Sequence, residues 1–383
     1  MASRNAQGVG TIRHRSDGRW EARYTVGRDP GTGKQIRKSV YGKTQQEVRK
    51  KLASVISDLD DGTYKEPTKM TVKQWFEIWL SEYTINLKPL TLKAYKSNTN
   101  NHIIPKLGKT DISKITPHQI QKMINGLSKD HTPKTVKNIH GIIHQGFAQA
   151  VALGYIPVNP ADNCKLPKIT KPEIKPLDKT EIPTFLEAIK GDPYERLFIV
   201  DLFTGLRQSE LIGLTWDCIN FEDKTIHVYR QWQRISEKSV KSRYEFVSLK
   251  SNKPRLIKPA SFIMDLLRAE KIKQAENQLK AGTAWDNEHN FVFTDETGKP
   301  ANHITLLSHL KKSAEKINRP DLRFHDLRHS YAVISLQIGD DIKTVQENLG
   351  HYSSAFTLDT YAHVTDSMRK ESAERMNNFI KTL

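Results

Sequence analysis

The residues of this chain that could do chemistry on a phosphate lie within positions 323–361. His325 and Arg328 stand three positions apart at the start of a predicted helix, and this spacing places them on one helix face. An arginine beside helix N–H groups that have no partner within the helix makes a pocket for a phosphate group. Farther along, His351 follows a Leu-Gly turn, and Tyr361 comes ten positions later.

A second arginine with a candidate partner lies far upstream, in the sequence TGLRQSE. Arg207 follows a glycine that allows helices to approach closely, and Glu210, three residues on, could brace the guanidinium from behind. By itself, such a pair would be a surface ion pair worth under about 1 kcal/mol. Two arginines in one site have another use, because each planar guanidinium fork can hold the nonbridging oxygens of a phosphate.

Together, TGLRQSE, the H-x-x-R pair and LGH with its following tyrosine resemble the tyrosine recombinase (phage integrase) family. The resemblance implies that a tyrosine cleaves DNA, forming a 3′-phosphotyrosyl ester and releasing a 5′-hydroxyl that can later attack back. Because the phosphoester bond energy is kept, no ATP, metal or other cofactor is expected. The catalytic residues that the resemblance implies are Arg207, Lys250, His325, Arg328, His351 and the nucleophile Tyr361.

For two of these six catalytic positions, nearby residues of the same type are alternative candidates. Chemistry alone leaves the nucleophile open, and the resemblance selects Tyr361 over Tyr352, which adjoins the LGH histidine, and Tyr331, which is expected in the core. The family's lysine lies on a β-hairpin between the two arginine motifs. Here Lys250 leads such a turn and Lys253 is the alternative, although either could be an ordinary solvated turn lysine. A lysine whose pKa is lowered by burial can act as general acid for the leaving 5′-oxygen.

The composition is that of a folded and strongly basic protein. The 383 residues are 37% hydrophobic and carry a formal net charge of +17. This length favours two or three domains, and the excess of positive charge favours nucleic acid as a partner over plain surface solvation. The two cysteines, Cys164 and Cys218, are far apart and not in a C-x-x-C pair, so neither a disulfide framework nor a zinc site is expected. The sequence lacks a signal-like or membrane-spanning apolar run, so a cytoplasmic, nucleoid-associated protein is expected.

Residues 1–62 are predicted to form three strands and one helix. Turn sequences at 16–18 and 28–33 separate alternating runs, and Thr44 with Glu47 forms a capping box for a helix that ends near Asp60. The alternation turns apolar side chains inward and leaves basic ones exposed, either as a solvated face or as an anion site. The layout resembles the arm-type DNA-binding domain of many integrases. The residues expected to bind DNA there are Arg13, Arg15, Arg19, Arg23 and Arg37.

A polar linker leads to a predicted helical bundle, residues 70–168. Apolar spacing predicts helices over 72–83, from Thr91 to about His102, over 120–127, and through Val151. The bundle resembles the core-binding domain of the family, but bundles of this kind are common. The lysines expected to contact DNA phosphates are Lys88, Lys93, Lys96, Lys134 and Lys137.

A tract rich in Lys and Pro leads to a third domain, residues 177–383, which is predicted to be α-rich with one small antiparallel sheet. Strands are expected at 226–232, 244–249, 256–257 and 291–293. Residues 366–383 form a predicted amphipathic helix, which could pack on its own domain. In the family such a tail docks into a neighbouring subunit and joins four protomers in a ring. The expected fold class is thus multidomain and mainly α.

The combined expectation is a site-specific recombinase that integrates and excises a mobile element. It would bind double-stranded DNA at core sites through the later domains and at arm sites through residues 1–62. The resemblance implies a homotetramer on DNA, with an excisionase and a host DNA-bending protein as candidate partners. Two alternatives are a type IB topoisomerase-like enzyme and a non-catalytic DNA-binding regulator. The regulator would have lost the nucleophile or an arginine, and the arm-like sheet and tail favour recombination over relaxation.

Overall fold

The structure is a computed structural model that describes residues 11–61, 70–170, 174–235, 243–250, 253–350, 373–374 and 376–382. The predicted catalytic residues His351 and Tyr361 lie outside the described residues. The chain divides into two compact units, Met1–Thr170 and Lys171–Leu383. The further division of the first unit into separate domains over 1–62 and 70–168 stays a prediction. Within the described ranges, no helix is both long and apolar enough to span a membrane.

The first unit opens with three antiparallel strands and a helix, as predicted. These are β1 (Thr11–His14), β2 (Trp20–Arg28), β3 (Gln35–Gly42) and α1 (Gln45–Asp60), with strand order β1-β2-β3. The side chain of Thr44 caps α1 by accepting from the Glu47 N–H at 3.2 Å. Ala22 and Tyr24 of β2 pack with Val48 of α1 in a small core. The other face of the sheet carries the arginines.

A helical bundle with its own apolar core follows. Its helices are α2 (Val72–Glu82), α3 (Pro89–Asn98), α4 (Ile104–Leu107), α5 (Pro117–Asp130) and α6 (Pro133–Ala152). Trp75 and Phe76 are fully buried, and the Trp75 indole donates to the Gly146 carbonyl at 2.9 Å. A side chain at Gly146 would place its Cβ 2.7 Å from the Phe76 ring, so the glycine permits this close packing of α2 and α6.

The second bundle helix differs from its predicted bounds. It begins at Pro89 rather than Thr91, and beyond His102 it continues through a π-helical turn, Thr99–Ile103, into α4. Pro105 explains why the sequence indicated a stop, because proline lacks the N–H that a continuing α-helix requires and its ring crowds the preceding turn. The wider π turn accommodates the proline, so the helix is modified instead of ended.

The second unit is mainly helical around one large core. Its helices are α7 (Glu181–Ile189), α8 (Glu195–Thr204), α9 (Gln208–Ile212), α10 (Ser261–Ala281), α11 (His303–Lys316), α12 (Phe324–Ile338) and α13 (Ile342–Leu349). Phe198 of α8 and Phe324 of α12 contact each other with ring centroids 6.1 Å apart. A smaller cluster, which includes Val333 and Leu349, joins α12 to α13. These contacts pack α12 against both α8 and α13.

The strands of this unit form two small antiparallel sheets, where the sequence predicted one. The strands are β4 (Ile219–Asn220), β5 (Thr225–Val228), β6 (Arg230–Ile235), β7 (Arg243–Ser248) and β8 (Arg255–Ile257). The first sheet has the order β4-β5-β8 and the second is β6-β7, so the predicted strand 226–232 is divided at Tyr229. The prediction of a strand at 291–293 was wrong. Phe291 makes a single bridge to Thr215, and the segment is apolar because it fills the core.

Candidate active site

The N-terminal turns of α12 hold His325 and Arg328 in different environments. Arg323 caps the helix, and Asp326 accepts from its N–H at 2.8 Å and from its guanidinium at 2.7 Å. His325 is exposed, whereas Arg328 is only 2% exposed. The histidine and the arginine therefore lie at different depths, although both belong to the first turns of α12.

The guanidinium of Arg328 holds the ends of two other helices. Its Nη1 donates to the Gly205 carbonyl at the end of α8, at 2.6 Å, and its Nη2 donates to the Leu349 carbonyl at the end of α13. Gly205 has a φ of 62°, and a Cβ there would lie 2.5 Å from the Tyr331 ring. A glycine is therefore required on both steric and conformational grounds. Tyr331, expected in the core, packs against the α12–α13 cluster.

Arg207 lies at the start of α9 and is braced by Glu210, as the spacing predicted. Glu210 accepts from the Arg207 N–H at 2.9 Å and from its Nη1 at 2.7 Å. The Arg207 Nη2 donates to the Gly350 carbonyl at 3.2 Å, and 20% of the side chain remains exposed. The guanidinium is thus oriented by two protein groups and still reaches the surface.

Arg255 is a third arginine at this place, and the motif-based prediction missed it. Its Nη2 and Nη1 donate to Glu210 at 2.7 and 3.2 Å, and its Nε donates to the Asn348 carbonyl at 2.7 Å. A sequence signal did exist. Strand alternation places Arg255 on the same face as Ile257, which is 2% exposed, while Leu256 between them is 57% exposed. An arginine that faces inward requires a carboxylate partner.

The last turn of α13 is held by all three arginines. The consecutive carbonyls of Asn348, Leu349 and Gly350 accept from Arg255, Arg328 and Arg207 respectively. A helix C-terminus carries partial negative charge, so guanidinium groups are favourable partners there. The held carbonyls lie directly before His351, and the arrangement fixes the backbone from which the predicted catalytic segment continues.

The carboxylate that Arg207 and Arg255 share is ionised. Burial alone would raise the pKa of Glu210, but the hydrogen bond and charge of Arg255, with the charge of Arg207, lower it to about 2. Glu210 is therefore ionised and offsets one of the two positive charges that it contacts. Asp201 is buried and interacts electrostatically with Arg328, and burial raises the pKa of its carboxyl group well above the ordinary value.

Two histidines at the start of α12 lie close together, with ring centroids 4.7 Å apart. Desolvation and the charges of Arg328 and Arg207 lower the pKa of His325 to about 4. Desolvation and the neighbouring His325 lower the pKa of His329 to about 4 as well. Both imidazoles are accordingly neutral near pH 7, and each can offer one hydrogen-bond donor and one acceptor.

Hydrogen bonds connect the first arginine's helix to the strand that precedes the candidate lysines. Ser209 donates to the Gln231 side chain at 2.9 Å, and Gln231 donates to the Ser248 carbonyl at 2.9 Å. Lys250 follows two residues later. Lys250 and Lys253 are both exposed, and the residues between them lie outside the described residues. The preference for Lys250 over Lys253 stays a prediction.

The basic residues predicted to bind DNA lie mostly on exposed surfaces of the first unit. Arg13 and Arg23 are about half exposed, and both contact the buried Glu21. Arg15 reaches the same carboxylate at 3.4 Å, whereas Arg19 pairs with Asp17. Among the remaining predicted residues, the exposed ones are Arg37, Lys88, Lys93, Lys96 and Lys134, and the half-buried one is Lys137.

Comparison with known proteins identifies the family of this chain and relatives that cover nearly all of it. Residues 175–368 match the phage integrase family, and residues 71–128 match the N-terminal SAM-like domain of phage integrases. A XerC-like tyrosine recombinase of Caldanaerobacter subterraneus subsp. tengcongensis is 32% identical over 92% of this chain and 94% of its own length. The ICEBs1 integrase of Bacillus subtilis is 25% identical over 97% of this chain and 100% of its own.

Solved structures share the fold. The Tn1549 transposon integrase (residues 82–397), in complex with a circular intermediate DNA, matches with a TM-score of 0.67 at 23% identity. The match covers 80% of this chain and 99% of that one. A lambda integrase dimer bound to a core site matches with a TM-score of 0.55 at 18% identity, over 94% and 96% of the two chains. From its motifs, its matched regions and its relatives, this chain belongs to the phage integrase family of tyrosine recombinases, enzymes that cut and rejoin DNA.

Proposed function

We propose that this chain integrates and excises a mobile DNA element, with Tyr361 as the nucleophile. The observation that carries the proposal is the convergence of Arg207 and Arg328 on the carbonyls directly before His351. Two guanidinium forks held at fixed positions suit the nonbridging oxygens of one scissile phosphate. Relatives that span nearly the whole chain are named integrases, which supports the mobile-element role.

In the proposed reaction, the hydroxyl of Tyr361 attacks the scissile phosphorus and loses its proton to solvent or to a neutral imidazole. The bond to the 5′-oxygen breaks, and that oxygen takes a proton from Lys250, with Lys253 as the alternative acid. The product is a 3′-phosphotyrosyl ester. A 5′-hydroxyl from the partner strand then attacks the ester and releases the tyrosine. In both steps negative charge grows on the nonbridging oxygens, where Arg207 and Arg328 stabilise it.

The first unit supplies the proposed DNA contacts that take no part in cleavage. Arg13, Arg23 and Arg37 lie on the sheet face away from α1, and we assign this face to arm-site DNA. Removal of residues 1–62 should spare cleavage of a short core site and should cripple recombination that needs an arm site. Arm binding should weaken steeply with salt, because several arginines displace counterions from the DNA. If the shortened protein recombines at the full rate, the assignment of residues 1–62 to arm-site binding is wrong.

The C-terminal tail fits assembly on DNA as a tetramer. Residues 376–380 are helical, and Met376, Phe379 and Ile380 are 59%, 59% and 58% exposed. Three exposed apolar side chains on one short helix suit a groove on a neighbouring subunit. Truncation after Ser372 should therefore reduce the size of the protein–DNA complex, which light scattering measures. If the complex keeps its size, the tail packs on its own domain.

An excisionase and a host DNA-bending protein are proposed as further partners, acting with the enzyme on nucleoid DNA in the cytoplasm.

A nicked duplex that carries the element's own end sequence tests the chemistry. Cleavage next to the nick releases a short 5′-hydroxyl fragment that diffuses away, so the covalent protein–DNA adduct accumulates. The wild-type protein should form an adduct that survives denaturation, and Tyr361→Phe should form none while retaining DNA binding. Tyr352→Phe is the matched control, since it removes the same hydroxyl from the competing tyrosine. An adduct formed by Tyr361→Phe would show that another residue is the nucleophile.

Relaxation of plasmids without target sites would instead favour a topoisomerase.

A further inference from the structure

We propose that Arg255 is a positioning residue for the cleavage reaction, and that it aligns Arg207 and the turn before His351 without touching DNA. The inference rests on the proposed function, because it assigns a role within that reaction. Its basis is geometric. Arg255 contacts the carboxylate that braces Arg207 and also the carbonyl at the start of the held turn.

The guanidinium group of Arg255 is held by the protein at all three nitrogens, because its Nε, Nη1 and Nη2 each donate to a protein oxygen. A direct contact to DNA would require it to give up these bonds. Its contribution must therefore pass through the groups that it holds.

The first of these groups is Glu210. Both carboxylate oxygens of Glu210 accept from Arg255 on one side and from Arg207 on the other. The carboxylate cannot rotate without breaking bonds to both arginines, so Arg255 fixes the orientation of the group that orients Arg207. Without Arg255, the carboxylate would be held by Arg207 alone, and the guanidinium of Arg207 would be less firmly oriented.

The second group is the end of α13. Arg255 holds the Asn348 carbonyl at 2.7 Å, and a Cβ at Gly350 would lie 3.2 Å from the Arg255 side chain. The backbone of Arg255 is itself fixed, because β8 pairs with β5 at Val228. The residue also follows the turn that carries both candidate lysines. One side chain thus ties the brace of Arg207 and the end of α13 to a sheet.

Single-turnover cleavage of the nicked duplex measures this role. A displacement of about 1 Å in a catalytic group can cost about 10²-fold in rate. We expect Arg255→Gln to lower the cleavage rate by roughly that factor, while the dissociation constant for the duplex stays within about twofold because the side chain does not reach DNA. Arg255→Lys keeps the charge but not the fork, and it should recover part of the rate. Arg268→Gln is the matched control, because Arg268 pairs with Asp265 at 2.7 Å away from the site.

A duplex with a methylphosphonate at the scissile position separates positioning from plain loss of structure. The methyl group removes the negative charge of one nonbridging oxygen, so the reaction depends less on an aligned Arg207. The rate ratio of wild type to Arg255→Gln should therefore shrink on this substrate. An equal ratio on both substrates would overturn the proposal, as would an unchanged rate on the natural phosphate. If Arg255→Gln does not fold, Arg255→Lys takes its place in the same measurements.

A measurement without DNA keeps the inference apart from the proposed function. The unfolding free energies of Arg255→Gln, Arg207→Gln and the double variant should be strongly non-additive, because both arginines share one buried carboxylate. Additive effects would overturn the inference even if the enzyme cleaves DNA. Absence of any adduct from the wild-type protein would overturn the proposed function, while this coupling would still decide whether Arg255 and Arg207 act as a unit.

Discussion

Glu21 in the first unit and Glu210 in the second are both buried carboxylates that hold several arginines, yet the arginines around them differ in exposure. The side chains of Arg13 and Arg23 beside Glu21 are 50% and 49% exposed. Those of Arg207 and Arg255 beside Glu210 are 20% and 7% exposed. The same ion-pair chemistry thus presents charge to solvent in one place and confines it in the other.

The difference shows how one residue type can serve two purposes. Around Glu21, the hydrogen bond from Ser39 and those from Arg13 and Arg23 outweigh the effect of burial and lower the carboxylate's pKa to about 2. The carboxylate spaces exposed guanidinium groups across a sheet, which suits contacts with many phosphates in succession. Around Glu210, the guanidinium groups also reach backbone carbonyls, so their directions are fixed. Fixed direction is needed for one phosphate undergoing reaction.

The largest expected contrast concerns replacement of arginine by lysine. Arg207→Lys and Arg328→Lys should each lower the rate of adduct formation by about 10²–10³, because lysine keeps the charge but lacks the fork that holds two oxygens. Arg23→Lys in the sheet should leave that rate unchanged, since the contact proposed for this exposed arginine needs mainly charge. Single-turnover cleavage of a nicked core site measures all three variants. If Arg207→Lys cleaves at a near-normal rate, the fixed direction of the guanidinium is not what distinguishes the Glu210 cluster from the Glu21 cluster.

A second contrast concerns the carboxylates themselves. Glu210→Gln should destabilise the second unit by about 3–5 kcal/mol, because it leaves the buried charge of Arg255 without its ionised partner. Glu21→Gln should cost much less, since water can solvate its half-exposed arginines. Urea unfolding of the two variants gives both free energies. If the two losses are equal, exposure of the arginines does not set the strength of these clusters.

Sequence patterns indicated that Glu210 braces Arg207 because that motif is local. Glu210 stands three residues from Arg207, and the H-x-x-R spacing lies within one helix. Arg255 was not predicted because its partner Glu210 is 45 positions away in the sequence. The only sequence signal that it faces inward is the alternation within a strand of three residues. The three carbonyls at the end of α13 have no side-chain signal at all, since any residue carries a carbonyl. The second bundle helix was misjudged for a related reason, because a proline normally stops a helix but a π turn can accommodate it.

The smallest expected contrast is the response to acid, and it separates the two regions by pH range. The pKa of His325 and of His329 is about 4 in the folded chain, below the ordinary value of 6.5. Between these pH values the unfolded chain binds protons at the two histidines that the folded chain does not, so their contribution to stability is lost as the pH falls from about 6.5 to 4. Buried Asp201 opposes this change, because its pKa is raised well above the ordinary value. Glu21 has a lowered pKa, so its contribution is complete above its ordinary pKa of 4.5 and is lost as the pH falls toward 2. The start of α12 should therefore respond to acid before the sheet around Glu21.

Hydrogen exchange, corrected for its intrinsic pH dependence, can follow peptides from α12 and β2 separately on acidification. Protection of α12 should fall between about pH 6.5 and 4, and protection of β2 should persist until lower pH. The double variant His325→Gln, His329→Gln should flatten the response of α12, and His14→Gln in β1 is the matched control. A bound phosphate should oppose the effect, because an anion beside His325 favours the protonated imidazole and raises its pKa. If DNA carrying the cleavage site leaves the response of α12 unchanged, the scissile phosphate does not lie beside His325, and the assignment of this histidine to the site is wrong.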